Sequence, residues 1–436
     1  MLNTIRTAFR IKDLRKKLLF TLGLLILVRL GAHIPIPGID AEYFKSWFEE
    51  NTNGTFNILS AFSGGSFERM SLFALGITPY ITASIIIQLL GVVIPALEEI
   101  RKDGEYGRKK MEKITIITSI GLAFAESIAM AVGFNRMGIL SGIFILRECI
   151  IVIFLTAGCG ILVFMGEMIK KKGIGNGISL ILAVNILSGF PSAAYTMIEN
   201  LTAEKLNAAG FGKGVGIAGV VLATSVFVVI LNEAVHKIPV QYSQKMRGMK
   251  FSAARSFIPI KLNAGNVAPV IFASSIFSIP QLVASFAGKG YGSGVSAFIL
   301  NSLNQNQWFN KTHPEYTIGL LVYVALICFF SVFYISIILN PMEMADNMKK
   351  QGGCIPGIRQ GKPTELYIAK IINNVTVIGS FALILIVVIP TIFGNLLSMG
   401  AVISGTSLVI IVGVITETFQ QIESQTQQYS YSSFVS

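Results

Sequence analysis

The sequence predicts an all-α polytopic membrane protein with ten transmembrane helices in two inverted five-helix halves. Three observations predict this fold: an apolar composition, ten apolar windows, and basic residues that alternate between the connecting segments. Of the 436 residues, 53% are hydrophobic and only 13% are charged, whereas soluble domains carry about 25% charged residues. The chain therefore has too little polar surface to cover a soluble globule of its size.

Ten mostly apolar windows reach or approach the roughly 20 residues that a helix needs to cross a bilayer. We name them spans 1 to 10, and they cover residues 18–36, 76–95, 114–134, 149–166, 178–190 extended to 198, 215–231, 264–284, 317–339, 371–389 and 399–415. Span 1 follows a basic start and could be taken for a cleaved signal peptide. Because it is long, carries Arg29 and runs into the sequence HIPIPG instead of a cleavage site, we predict a retained helix.

Lys and Arg alternate between the segments that connect the spans. They are concentrated in segments 1–17, 96–113, 167–177, 232–263 and 340–370, which with the tail 416–436 hold 26 of the 35, while the intervening segments hold 8. Cytoplasmic loops are enriched in these residues. Both termini are therefore predicted to be cytoplasmic, and the net charge of +12 divides into +13 on the cytoplasmic segments and −1 on the outer ones.

The spans divide into an N-terminal half, 18–198, and a C-terminal half, 215–415. Five spans per half make the halves run in opposite senses, as in inverted-repeat transport proteins. The first connection of each half is long, 37–75 and 232–263, and the two lie on opposite sides of the membrane. The topology thus predicts an inverted repeat.

A short apolar segment lies within the first outer connection. Residues 56–67 are apolar, but Gly64-Gly65 interrupts them and they are too short to span. Irregular backbone is tolerated at membrane depth only where protein buries it or where it lines a watery cavity. The segment predicts a short helix that dips into a pore from outside, and an amphipathic hairpin on the outer surface is the alternative.

Sequence patterns of catalysis and metal binding are missing. The chain has no G-x-S-x-G, no P-loop, no H-E-x-x-H and no C-x-x-C, so no enzyme, cofactor or metal site is predicted. Only Arg29 and Glu126 lie clearly inside the spans, which argues against a proton or metal-ion relay. The lysines at 170–172 and the glycine-rich residues 173–177 could form a phosphate cradle, but a tight cytoplasmic turn is the favoured interpretation.

Two cytoplasmic connections are longer than adjacent helices need. Segment 232–263 has six basic residues and one acidic residue, and segment 340–370 has five basic residues. Topology explains part of this charge, but projecting basic loops also suit docking to an acidic protein or to RNA phosphates. Charge alone leaves both interpretations open. The tail 416–436 has no Lys or Arg, and its Gln- and Ser-rich sequence predicts disorder.

Seven short motifs are distributed along the chain: IPIPG at 34–38, FSGG at 62–65, GITPYI at 76–81, KGIGNGIS at 172–179, IPVQY at 238–242, FASS at 272–275 and GCIPGIRQG at 353–361. These motifs resemble those of the SecY family of bacterial protein-translocation channels. They occur in order and cover nearly the whole chain. The resemblance implies a central hourglass pore that conducts unfolded, signal-bearing polypeptide, is closed by a re-entrant plug helix and opens sideways to release transmembrane segments.

The resemblance also implies roles for particular residues. The plug would lie at 56–70, a ring of isoleucines would seal the waist, polar residues of spans 2 and 7 would face each other at a lateral gate, and basic residues would dock the SecA ATPase or the ribosome. The plug set is Asn57, Ile58, Leu59, Ser60, Ala61, Phe62, Ser63, Gly64 and Gly65; the ring is Ile81, Ile85, Ile186, Ile271, Ile276 and Ile410; the gate is Ser84, Gln88, Ser274 and Ser275; and the docking residues are Lys250, Arg255 and Arg359.

The partners that the resemblance implies are SecE-like and SecG-like small membrane subunits, SecA, the ribosome, signal peptides and precursor chains, and the lipid bilayer. The chain departs from the family pattern at NAGNVAP, 263–269, and in its basic loop tip. An inverted-repeat secondary transporter of a small neutral solute is the alternative function. An intramembrane hydrolase is less favoured because a nucleophile motif is missing.

Overall fold

Each predicted span falls on a helix in the computed structural model. The ten helices are Lys12–Gly31, Thr78–Val93, Gly104–Arg136, Phe144–Lys172, Gly177–Ala203, Ala208–Glu233, Ala268–Phe286, Ile318–Ile338, Lys362–Leu396 and Gly405–Val435. Shorter helices are Leu2–Arg10, Pro95–Lys102, Val295–Leu303 and Pro341–Lys350. The structure describes residues 2–37, 39, 44, 46, 60, 62–136, 144–203, 208–242, 256–286, 295–308, 313–396 and 405–435.

Among the described residues, five helices are long and apolar enough to cross a membrane, namely spans 3, 4, 8, 9 and 10. Span 2 passes the same test together with the helix Pro95–Lys102, from which it is bent by 104°. The bend falls at Ile94, whose backbone is extended, because the residue before a proline is disfavoured in the helical region. The apolar helices of spans 5, 6 and 7 are shorter.

Contacts between the spans repeat with an offset of five. In the first half, span 1 packs on spans 4 and 5, and span 3 packs on spans 2 and 4. In the second half, span 6 packs on spans 9 and 10, and span 8 packs on spans 7 and 9. Spans 4 and 5 also pack together, as do spans 9 and 10. This correspondence agrees with the predicted arrangement of two related halves.

The halves contact each other in two regions. In one region, span 7 packs on spans 2 and 3, and in the other, span 5 packs on spans 6 and 10. Between the two regions lies a buried apolar cluster, which we call the central cluster and which draws residues from every span except span 3. The molecule therefore closes around an apolar centre.

Three short strands join the two basic connections that are predicted to be cytoplasmic. β1, Val235–Tyr242, pairs antiparallel with β2, Ser256–Lys261, and its far end pairs with β3, Gly353–Cys354. Ile238 and Val240 of β1 are buried against the ends of spans 8 and 9. The all-α prediction lacked this sheet, which links two segments that are a hundred residues apart.

The tail is helical, so the prediction of disorder was wrong. The helix of span 10 continues to Val435, and the N-terminal helix Leu2–Arg10 packs against it. Ile422 is buried in a small apolar cluster with residues of the N-terminus. The backbone N–H of Gly175 donates to Oε1 of Gln421 at 2.7 Å. A glutamine that composition associates with disorder thus bonds to the segment between spans 4 and 5.

Candidate functional site: the channel interior

The six isoleucines assigned to the ring meet at the centre of the molecule. Five belong to the central cluster and are at most 7% exposed, and Ile276 is partly buried against it; the five are Ile81, Ile85, Ile186, Ile271 and Ile410. They come from spans 2, 5, 7 and 10, hence from both halves. The fold brings them together, while their sealing role stays a prediction because ordinary core residues are equally buried.

A cavity of about 400 Å³ borders this cluster. Ile81 and Ile271 line it at the cluster, and charged and polar residues line it elsewhere, among them Gln88, Lys170 and Glu417. Lys170 belongs to a segment that is predicted to be cytoplasmic. The cavity therefore leads from polar walls, on the side that is predicted to be cytoplasmic, to branched aliphatic side chains at the centre.

Ion pairs balance the charge on one wall of the cavity. Glu167 is buried, with 5% of its surface exposed, and Nζ of Lys171 and Nζ of Lys170 lie 3.5 Å and 4.0 Å from its carboxylate oxygens. Lys170 also contacts the carboxylate of Glu112 on span 3. Paired charges keep this wall polar without a large net charge, because a lone buried carboxylate would be costly.

The segment that was predicted to dip into the pore packs against the central cluster, at residues of span 5 that lie beyond the cavity-lining Leu182. Phe62 is 4% exposed and belongs to the central cluster. Residues 62 and 63 are helical, and turns follow them. The Ser63 hydroxyl donates to the carbonyl of Ser60 and accepts from the N–H of Phe67, both at 3.1 Å. Four predicted plug residues lie outside the described residues: Asn57, Ile58, Leu59 and Ala61.

Side chains of spans 1 and 5 donate to backbone carbonyls of this segment, which we call the dip, residues 62–67. Nδ2 of Asn185 donates to the carbonyl of Phe62 at 3.2 Å, and the Arg29 guanidinium donates to the carbonyl of Gly64 at 3.3 Å. The Ser188 hydroxyl lies 3.4 Å from the same Gly64 oxygen but 2.6 Å from the carbonyl of Asn185. The single hydroxyl proton of Ser188 is therefore donated to the carbonyl of Asn185 in its own helix.

Gly64 lets the dip approach these donors closely. Its φ is +66°, in the left-handed region that favours glycine. A Cβ at this position would lie 2.6 Å from the Arg29 guanidinium and 2.9 Å from the backbone oxygen of Asn185. Asn185 and Ser188 were not predicted from the sequence, although a polar residue directly before Ile186 in an apolar window was a usable signal.

The four gate residues bond within their own helices or lack a partner. Nε2 of Gln88 donates to the Ser84 hydroxyl at 3.0 Å on span 2, and the Ser274 hydroxyl donates to the carbonyl of Val270 at 2.9 Å on span 7. The Ser275 hydroxyl is buried without a hydrogen-bond partner. Spans 2 and 7 are in contact, but among the described residues the expected hydrogen bonds between these four side chains across the gate are not seen.

The docking residues are only partly described. Arg359 is exposed in the turn that follows β3, between Gly357 and Gly361, whose φ angles are +82° and +97°. Its carbonyl accepts a hydrogen bond from the Thr364 hydroxyl at 2.8 Å. Lys250 and Arg255 lie outside the described residues. Pairing of β3 with β1 connects the Arg359 turn to the other basic connection.

Comparisons with known proteins agree with this architecture. The SecY family model matches residues 71–419. The protein translocase subunit SecY of Streptomyces galbus is 41% identical over 453 residues, which cover 100% of both chains. SecY of Halalkalibacterium halodurans is 39% identical, also over 100% of both chains.

Solved structures share the fold. One is a SecY channel whose plug domain is described as stabilising the closed state and maintaining a membrane seal; it has a TM-score of 0.69 and 21% identity, covering 94% of this chain and 92% of that one. Another is Sec61 in the canine ribosome–channel complex, with a TM-score of 0.66, 20% identity and the same coverage. The predicted fold class is confirmed.

Proposed function

This chain belongs to the SecY family, and from that membership and its apolar centre we infer that it is the channel subunit of the Sec translocase. It conducts unfolded, signal-bearing polypeptides across the cytoplasmic membrane and releases transmembrane segments into the lipid. One observation carries this inference: a polar-walled cavity ends at clustered isoleucines from both halves, and the dip occupies the opposite side. The cavity would receive the chain, and the dip would act as the plug.

The isoleucines suit a seal around a moving chain. Branched aliphatic side chains at a constriction block ions because the constriction dewets. They also yield to a bulky apolar peptide, because aliphatic contacts have no directional bonds to break. The six residues Ile81, Ile85, Ile186, Ile271, Ile276 and Ile410 would form this ring.

The contact between span 7 and spans 2 and 3 suits a lateral gate. Ser84, Gln88 and Ser274 bond within their own helices. Separating spans 2 and 7 would therefore leave those bonds intact, which matters because lipid offers no replacement partners. With Ser275, these residues would line the gate through which apolar segments leave.

Energy and bracing would come from partners. Nucleophile and phosphate-binding motifs are missing from the sequence, so ATP hydrolysis by SecA, or chain elongation at a ribosome, would drive transport. Arg359, Lys250 and Arg255 would dock these partners. A SecE-like subunit would brace the halves, 18–198 and 215–415, and a SecG-like subunit would accompany it.

Both termini would be cytoplasmic, as the distribution of Lys and Arg indicates. The basic N-terminus, 1–17, and the tail, 416–436, would then lie on the same side as the basic connections 232–263 and 340–370. Packing of the helix Leu2–Arg10 against the helix of span 10 supports this assignment, because the two termini must then share a side.

Translocation into vesicles tests the function. Vesicles should contain this chain, its SecE-like partner and SecA, and a signal-bearing precursor should become protected from added protease only when ATP is present. A precursor without its signal serves as the control. Folded channel that gives no ATP-dependent protection would contradict the proposed function. Uptake of a small neutral solute by the same vesicles would instead favour the transporter alternative.

A further inference from the structure

Two polar side chains hold the dip at the border of the apolar centre. Asn185 is 3% exposed and directly precedes Ile186 of the ring, and Arg29 approaches the dip from span 1. We propose that Asn185 and Arg29 form a latch that holds the dip in place and keeps the channel closed. The latch thereby sets how strong a signal must be to open the channel. This inference rests on the proposed function and goes beyond it in naming residues that determine signal selectivity.

The strength of the latch comes from its surroundings. The carbonyl of Phe62 accepts from Nδ2 of Asn185, and the carbonyl of Gly64 accepts from the Arg29 guanidinium. The Asn185 bond is buried beside the central cluster, where water cannot readily replace a lost partner, whereas the Arg29 bond is half-buried. A hydrogen bond in such surroundings is stronger than in water, and leaving its partners unpaired is costly. The dip therefore leaves only if water or an incoming chain takes over these groups.

The backbone of the dip is shaped for the latch. Gly64 combines a φ of +66° with an approach that leaves no room for a Cβ beside Arg29 and the backbone of Asn185. The neighbouring Gly65 also has a positive φ, +76°, but a Cβ there would meet nothing within 4 Å. Of these two glycines, only Gly64, whose carbonyl accepts from Arg29, therefore approaches spans 1 and 5 closely.

The other end of the Asn185 amide limits the strength of the latch. Its Oδ1 is buried without a hydrogen-bond partner, which costs free energy while the channel is closed. Once the dip moves away, water or a backbone N–H of the passing chain can donate to this oxygen. Asn185 therefore forms one hydrogen bond in the closed state, through Nδ2, and can form another in the open state, through Oδ1. The second bond lowers the free-energy cost of opening, so a signal can overcome the latch.

Selectivity follows from the balance between these states. A signal opens the channel only to the extent that it binds the open state more tightly than the closed one. When the latch is weakened, the open population rises and a smaller difference in binding suffices. A precursor with a weak signal is then translocated. Translocation of a precursor with a strong signal changes little, because that signal already opens the channel.

The test compares Asn185→Ala with Thr82→Ala. Thr82 is also a buried polar residue, but its hydroxyl donates to the carbonyl of Thr78 in its own helix at 3.1 Å. Each variant, with its SecE-like partner, is placed in planar bilayers for ion conductance at rest and in vesicles with SecA for translocation. The precursors carry either an intact signal or one with a shortened apolar stretch.

We expect Asn185→Ala to raise resting conductance and weak-signal translocation about fivefold, which corresponds to the loss of one net hydrogen bond, with the intact signal unchanged. Thr82→Ala should match the unmodified chain. Arg29→Met, which removes the donor to the Gly64 carbonyl, should act like Asn185→Ala and serves if that variant does not assemble. Equal conductance and equal signal preference in the Asn185, Arg29 and Thr82 variants would overturn the latch.

A thiol at Ser63 separates failure of the latch from failure of the function. With the exposed Cys149 and the half-buried Cys328 and Cys354 replaced by serine, the reaction of Ser63→Cys with a water-soluble maleimide reports how often the dip leaves its site. Faster labelling in Asn185→Ala than in Thr82→Ala supports the latch even if no precursor is translocated, and equal labelling overturns it. Absence of translocation by the unmodified chain counts against the proposed function alone.

Discussion

At residue scale, two neighbouring glycines of the dip meet different constraints. An alanine at Gly64 or at Gly65 must adopt the left-handed region, at a cost of about 1–2 kcal/mol. Only the alanine at Gly64 also meets the backbone of span 5. Gly64→Ala should therefore loosen the dip more than Gly65→Ala, measured as faster maleimide labelling of Ser63→Cys. Equal labelling of the two variants would show that the close approach at Gly64 contributes nothing.

The ring makes a second prediction at this scale. Ile410 and Ile327 are both fully buried in the central cluster, but only Ile410 is assigned to the ring. Either change to alanine should lower the free energy of unfolding by about 2–5 kcal/mol. Only Ile410→Ala should increase ion conductance while a stalled precursor occupies the channel. If Ile327→Ala leaks as much, the ring assignment is wrong.

These residues show where the sequence sufficed and where it did not. Hydropathy alone cannot distinguish Ile410 from Ile327, and only the resemblance to a family singled out the former. Asn185 had no family motif to identify it, because its role depends on how closely a distant segment approaches. The two carbonyls that receive the donors are backbone atoms, which a sequence does not mark.

At element scale, the helical tail predicts a stabilising contact. Ile422 is buried against the N-terminus, whereas Ser424 two residues later is exposed. Ile422→Asp should lower the thermal unfolding midpoint of the detergent-solubilised protein, because it buries an unpaired charge. Ser424→Asp is the matched control and should change the midpoint little. An unchanged midpoint in both variants would mean that the tail does not stabilise the molecule.

Helices were predictable and strands were not, for a physical reason. Each of the ten spans must be apolar over a length that matches the lipid or the core, and this requirement gives a strong hydropathy signal in the sequence. β1 and β2 are short, and each contains a proline, Pro239 or Pro259, a residue that usually argues against a strand. Pro239 is tolerated because β3 pairs only with Gln241 and Tyr242, beyond the proline.

At the scale of the whole molecule, the contact of span 7 with spans 2 and 3 predicts where an apolar segment leaves the channel. A short thiol-to-thiol linker between Ser84→Cys and Ser274→Cys, in spans 2 and 7, should prevent release of an apolar segment into lipid. Each single-cysteine variant with the same reagent should release the segment normally. The readout is resistance of the segment to alkaline extraction. Normal release by the linked protein would place the lateral exit elsewhere.

The small three-stranded sheet has a mechanical consequence. Its three strands come from the two basic connections of the second half, and its buried face packs on the ends of spans 8 and 9. A motor that binds either connection therefore pulls on the second half, on which the sheet packs. Such a pull would rotate the second half about the contact of span 5 with spans 6 and 10. This rotation would separate span 7 from spans 2 and 3.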